Sequence, residues 1–98
     1  MQQAQISNPI LEMCIPRITN YTPRDQIFTA LCKLKIGYIK KLTELPIKTD
    51  PNFKRILIRV QLNDSETAQK IKARMDEGKT IHLVYDMPWF WQLKPLQK

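Results

Sequence analysis

Between Lys54 and Leu62 the chain alternates almost without a break, with Ile56, Ile58 and Val60 in one phase and Arg55, Leu57, Arg59 and Gln61 in the other. Successive side chains of an extended strand leave on opposite faces, so a period of two predicts a strand with one apolar face and one displayed face. Such a strand needs strand partners and something apolar to lie against. That requirement organises the reading of everything around it.

Before it, Ile10-Leu11-Glu12-Met13-Cys14-Ile15 is a short apolar run closed by Pro16, too brief for a helix and suited to an interior strand. Thr22 and Pro23 then predict a helix start, Thr22 as cap and Pro23 in the first helical position, with Asp25 placed to favour the helix dipole. Ile27, Phe28, Leu31 and Leu34 form one apolar stripe, and Gly37 is expected to end the helix. Tyr38 to Leu45 reads as a second strand stopped by Pro46, and Lys48-Thr49-Asp50-Pro51-Asn52 as a turn. After the alternating strand, Asn63-Asp64-Ser65 offers caps for a second helix. Its stripe is Ala68, Ile71 and Met75, and Gly78 ends it. Thr80 to Asp86 alternates again as a fourth strand. The order is β-α-β-β-α-β.

That order is the ferredoxin-like plan, an α+β fold in which a four-stranded antiparallel sheet carries two helices on one face and leaves the other open. Residues 1–9 read as a flexible lead, 10–87 as the domain, and 88–98 as an aromatic tail beyond it. On this plan Ile56, Ile58 and Val60 face the helices, and Arg55, Leu57 and Arg59 are displayed.

The tail holds the run Met87-Pro88-Trp89-Phe90-Trp91, in a chain whose 16 Lys and Arg against 9 Asp and Glu give a formal net charge of +7. Rings beside excess cations suit single-stranded nucleic acid, because bases stack on aromatic faces while phosphates attract Lys and Arg. Trp89 and Trp91 share one parity and Phe90 the other, which points to Phe90 against the core edge and both indoles facing one way. Three outcomes follow. The indoles lie across the open sheet as a stacking platform, or they bury Leu57 and close that face, or the tail extends to dock on another chain.

Gly37-x-Ile39-x-x-Leu42 opening strand two, together with Gly78 before strand four, resembles the RNA-recognition-motif family over residues 10–87. That family stacks bases on exposed rings of strands one and three. Here the corresponding stretch is Phe53-Lys54-Arg55-Ile56-Leu57-Ile58-Arg59-Val60, with Arg55 and Leu57 at the ring positions and neither family glycine, and Cys14 stands at the ring position of strand one. The Ile15-Pro16-Arg17 ending and the Tyr85-to-Trp91 stretch are also similar to small uncharacterised proteins of nucleocytoplasmic large DNA viruses, which implies a virus-encoded protein in the host cytoplasm or the virion. The resemblance implies a non-catalytic module that binds single-stranded nucleic acid, RNA foremost. The candidate set is Arg17, Lys40, Lys41, Lys54, Arg55, Leu57, Arg59, Trp89 and Trp91. Guanidinium planes can take over part of the stacking that lost rings would have done. The alternative is a protein-interaction or self-association module, including a homodimer, using the same sheet face and tail.

Chemistry beyond binding finds no footing in the sequence. There is no Gly-rich phosphate loop, no Ser or Cys nucleophile beside a base, and no paired acids with an obvious common placement. The lone His82 reads as structural, and Cys14 and Cys32 as reduced side chains without metal-ligand spacing. No enzyme, metal, cofactor, small-molecule substrate or membrane span is expected. The absence of a signal-like N-terminus predicts an intracellular protein. Lys70, Lys72 and Arg74 read as the solvated side of the second helix.

Overall fold

A computed structural model describes residues 9–87 and 89–96. Its elements are β1 (Ile10–Thr19), α1 (Arg24–Cys32), β2 (Gly37–Pro46), β3 (Phe53–Leu62), α2 (Glu66–Asp76), β4 (Ile81–Asp86) and β5 (Trp89–Pro95). The flexible lead expected at the N-terminus lies, up to residue 8, outside the described residues, as do Pro88 and residues 97–98.

The architecture is α+β, as the pattern predicts, but the sheet has five strands rather than four, in the order β2-β3-β1-β5-β4. The stretch read as a tail is the added strand, inserted between β1 and β4. Alternation explains why. Trp91 and Leu93 are buried and Gln92 and Lys94 are exposed, so this segment has the same two-faced character as β3 and gains by entering the sheet. All neighbours pair antiparallel. Because β5 is antiparallel to both β1 and β4, those two strands run in the same direction. The ferredoxin-like plan instead puts β4 directly beside β1 and antiparallel to it.

The inner face matches the reading of β3. Ile56, Ile58, Val60 and Leu62 join Leu11, Met13 and Ile15 of β1, Leu42 of β2, Leu83 of β4, and Trp91 and Leu93 of β5 in one core. Ile27, Ala30 and Leu31 of α1 and Ala68, Ile71 and Met75 of α2 complete it, so both helices cover the same side of the sheet. Phe28, placed in the stripe of α1 on spacing, is largely exposed, and Ala30 takes the inward position.

Local signals held unevenly. Ser65 caps α2 by accepting from the Ala68 N–H at 3.1 Å, and is held in place by Asn63 Oδ1, which accepts from its N–H and its hydroxyl. Gly78 follows α2 with φ of 78°. At α1 the signals shift by one or more positions. Pro23 occupies the cap position, and the Thr22 hydroxyl pairs with that of Thr19 at 2.7 Å instead. The left-handed turn after α1 falls on Lys35, with φ of 55°, and Gly37 opens β2. β1 also continues past Pro16. A register shift between Ile15 and Ile18 accommodates the proline, whose missing N–H suits an irregularity rather than a regular ladder position. On the outer side of α2, Lys70 pairs with Glu66 and Lys72 with Asp76 one turn apart. No helix among the described residues is long and apolar enough to cross a membrane.

Candidate functional site

The face of the sheet away from the helices is built in rows set by strand register. Tyr38 of β2 stands opposite Gln61 of β3. In the next row Lys41 meets Arg59, which meets Glu12 of β1, and then Thr43, Leu57, Cys14 and Lys94 line up across four strands. Leu45 and Arg55 follow. On β4 and β5 the same face carries the pairs His82 with Gln92 and Val84 with Phe90. The outer phase of β3 thus supplies the centre of a mixed basic and apolar surface.

Four of the candidate residues come together there: Lys41, Arg55, Leu57 and Arg59. Arg59 donates to Glu12 Oε2 from Nη2 at 2.8 Å and from Nε at 3.2 Å, so it is partly neutralised. Lys41, Arg55 and Lys94 make no ion pair among the described residues. Leu57 is half-buried between them. Lys40 sits at the register shift of β2 between Ile39 and Lys41, its ammonium 5.5 Å from the Tyr38 ring centre. Arg17 is at the far end of β1, where it pairs with Asp50 and lies 4.1 Å over the Phe53 ring.

Two candidates are on the helix side. Lys54 is only 8% exposed; its Nζ donates to the Thr22 carbonyl at 2.8 Å and pairs with Glu44, which also lies 3.8 Å from Arg24. It shares the phase of Ile56 and Ile58, so alternation sends it inward, where it ties the start of α1 to β2 and β3. Lys54→Met is therefore expected to lower stability by about 1–3 kcal/mol, the range for a buried acceptor stripped of its donor, with Glu44 partly solvated and still beside Arg24. Urea denaturation measures that loss. Binding at the open face should be unchanged.

Trp91 is the other. It is 8% exposed, in the core, with its ring stacked on Tyr85 at 4.1 Å and an interplanar angle of 17°. Trp89 shares its parity but stands at the strand end, 63% exposed. The arrangement expected of the aromatic run is thus reversed. Phe90, not the indole pair, belongs to the open face, 43% exposed and stacked on His82 at 4.0 Å. The indoles neither cover the open sheet nor extend from it, because the strand that carries them lies within the sheet.

The residues missed by the reading are Phe90, His82, Lys94, Thr43 and Glu12. For the first and third a signal existed: once Trp91 and Leu93 are read as inward, Phe90 and Lys94 must be outward. His82 and Thr43 depend on register, which no local pattern gives. Among the described residues no group of three or more His, Cys, Asp and Glu side chains is placed to hold a metal ion. No protein-family model, curated protein or solved structure matches the chain.

Proposed function

We propose that the chain is a non-catalytic module, similar in its β-α-β-β-α-β portion to RNA-recognition motifs, that binds single-stranded nucleic acid, RNA foremost, on its open sheet face inside the cell. The observation that carries this reading is the trio Lys41, Arg55 and Lys94, three cations without a carboxylate partner among the described residues, on a face that also displays the Phe90–His82 ring pair. Cations draw in phosphates and release condensed counterions, while an exposed ring gives an unstacked base somewhere to lie. Flat open sheets favour extended strands over duplexes for the same reason, since splayed bases present their faces.

Titration of labelled single-stranded oligonucleotides tests it. Three phosphate contacts predict a salt slope near −2, so raising salt from about 50 to about 200 mM should weaken binding about twentyfold. In Lys41→Ala/Arg55→Ala the same step should cost only about threefold. Phe90→Ala should weaken binding at least about fivefold at either salt, from the loss of one stacking surface. A wild type that binds no oligonucleotide at low salt rejects the reading. The rival, docking or self-association, draws on Val84, Met87, Trp89 and Phe90, all well exposed around the β4–β5 turn. A wild type that ignores oligonucleotides but grows in apparent mass with concentration would favour it.

A further inference from the structure

Phe28 stands in the apolar stripe of α1 and yet is 46% exposed, the member of that stripe left outside the core. It lines a groove of about 330 Å³ between α1 and the outer edge of β2. Ile39 adds to the apolar wall, Arg24, Lys40 and Lys41 supply cations, and Asp25 is the acid among the lining residues. Lys40 and Lys41 make no ion pair among the described residues, and Arg24 has only Glu44, at 3.8 Å and shared with Lys54.

The edge of β2 is shaped so that the open face runs on into this groove. Ile39 pairs with Val60 and Lys41 with Arg59, so Lys40 is the extra residue of a bulge. A bulge breaks the alternation of a strand and re-aims its side chains. Lys41 accordingly lines both the groove and the open-face depression between Leu57 and Leu96. Lys40 lines the groove too, with its ammonium 5.5 Å from the ring centre of Tyr38. Adjacent lysines at a bulged edge discourage another strand from pairing there, whereas a phosphate backbone is drawn to them. Phosphates crossing that edge would meet Lys40 and Lys41 together and Arg24 on α1, with Phe28 at hand to take a base.

We propose that single-stranded nucleic acid, having crossed the open face, turns over the β2 edge at Lys40 and Lys41 and stacks a further base on Phe28 in the groove. The inference rests on the nucleic-acid reading of the open face. Oligonucleotide length tests it, with about four nucleotides to cover the open face alone and about twelve to reach the groove. The short oligonucleotide should keep a salt slope of about −2. With the long one, Lys40 and Arg24 add two phosphate contacts and steepen the slope to about −3.5, so raising salt from about 50 to about 200 mM weakens binding about a hundredfold. In Lys40→Ala that loss should shrink to about fiftyfold, with the short oligonucleotide unaffected. Phe28→Ala should weaken the long oligonucleotide at least about fivefold and the short one less than about twofold. Both side chains are exposed, so neither variant should unfold. A long oligonucleotide whose binding ignores Phe28→Ala, or whose slope ignores Lys40→Ala, overturns the path into the groove, leaving that groove to a protein partner and the open face standing. The response of the long oligonucleotide to Phe28→Ala decides the matter even if the short one binds too weakly to titrate. Failure of wild type to bind either length at low salt overturns the face itself, and the groove with it.

Discussion

Replacing Trp91 by alanine is expected to lower the unfolding free energy by about 3–5 kcal/mol, the usual cost of emptying a large aromatic site in a core. The ring is 8% exposed, packs among Leu83, Leu93 and the other core side chains, and has Tyr85 stacked on one face. A domain of this size has about 5–15 kcal/mol in total, so the variant should lose a large share of its stability. The informative comparison is Trp89→Ala. That side chain is 63% exposed, and its loss should change stability by no more than about 0.5 kcal/mol. Urea denaturation of the two variants side by side distinguishes a strand from a tail. If both tryptophans proved equally dispensable, the residues after Pro88 would not be holding the sheet together.

Gly37→Ala should cost about 1–3 kcal/mol or more, the range for forcing an extra carbon into a packed position, although this residue is neither in the core nor on the open face. A Cβ built on Gly37 would lie 2.1 Å from the Gln61 carbonyl oxygen and 2.9 Å from both the Gln61 carbonyl carbon and the Leu62 Cα. All three atoms are backbone of the paired strand, so no side chain can move aside, and relief requires β2 to shift away from β3. Gly37 pairs with Leu62 at the end of the ladder, and the Asn63 N–H just beyond donates to the Ile36 carbonyl at 2.8 Å, which leaves the strands little freedom to part. Gly78 gives the contrast. A Cβ there meets nothing within 4 Å, so Gly78→Ala bears only the cost of its left-handed backbone. A thermal melt in which Gly37→Ala unfolded no earlier than Gly78→Ala would remove the argument from close approach.

Where one residue's chemistry is decided by its immediate neighbours, the sequence was legible. The phase of β3, the Ser65 cap, the Gly78 terminus and both helices follow from spacings of a few residues, because strand alternation and helix capping are local geometry. Lys54 was legible too: its phase is that of Ile56 and Ile58, and counting it among the binding candidates sets residue type above position. The same rule applied to Trp91-Gln92-Leu93-Lys94 finds a strand where three consecutive aromatics and a proline suggested a tail.

The rest depended on partners distant in the chain. Nothing near Lys54 announces that Glu44 and the Thr22 carbonyl converge on it from two other elements. Nothing near Gly37 says that the Gln61 carbonyl would be 2.1 Å from an added Cβ, so a glycine that fits a helix end by spacing is needed for strand contact instead. The place of β5 between β1 and β4 is a choice among several ways of burying Trp91 and Leu93, and local alternation is satisfied by all of them.

By itself, then, the sequence determined an α+β chain of two helices against a sheet whose β3 shows Arg55, Leu57 and Arg59 outward, since period and phase are written in neighbouring residues. Only the tertiary structure decided that a fifth strand enters the sheet, that Trp91 is core and Phe90 surface, and that Lys41, Glu12, Lys94 and Leu96 gather around the β3 residues. Strand order and register are fixed by the best burial over the whole chain, a sum of contacts between residues far apart that no window of sequence contains.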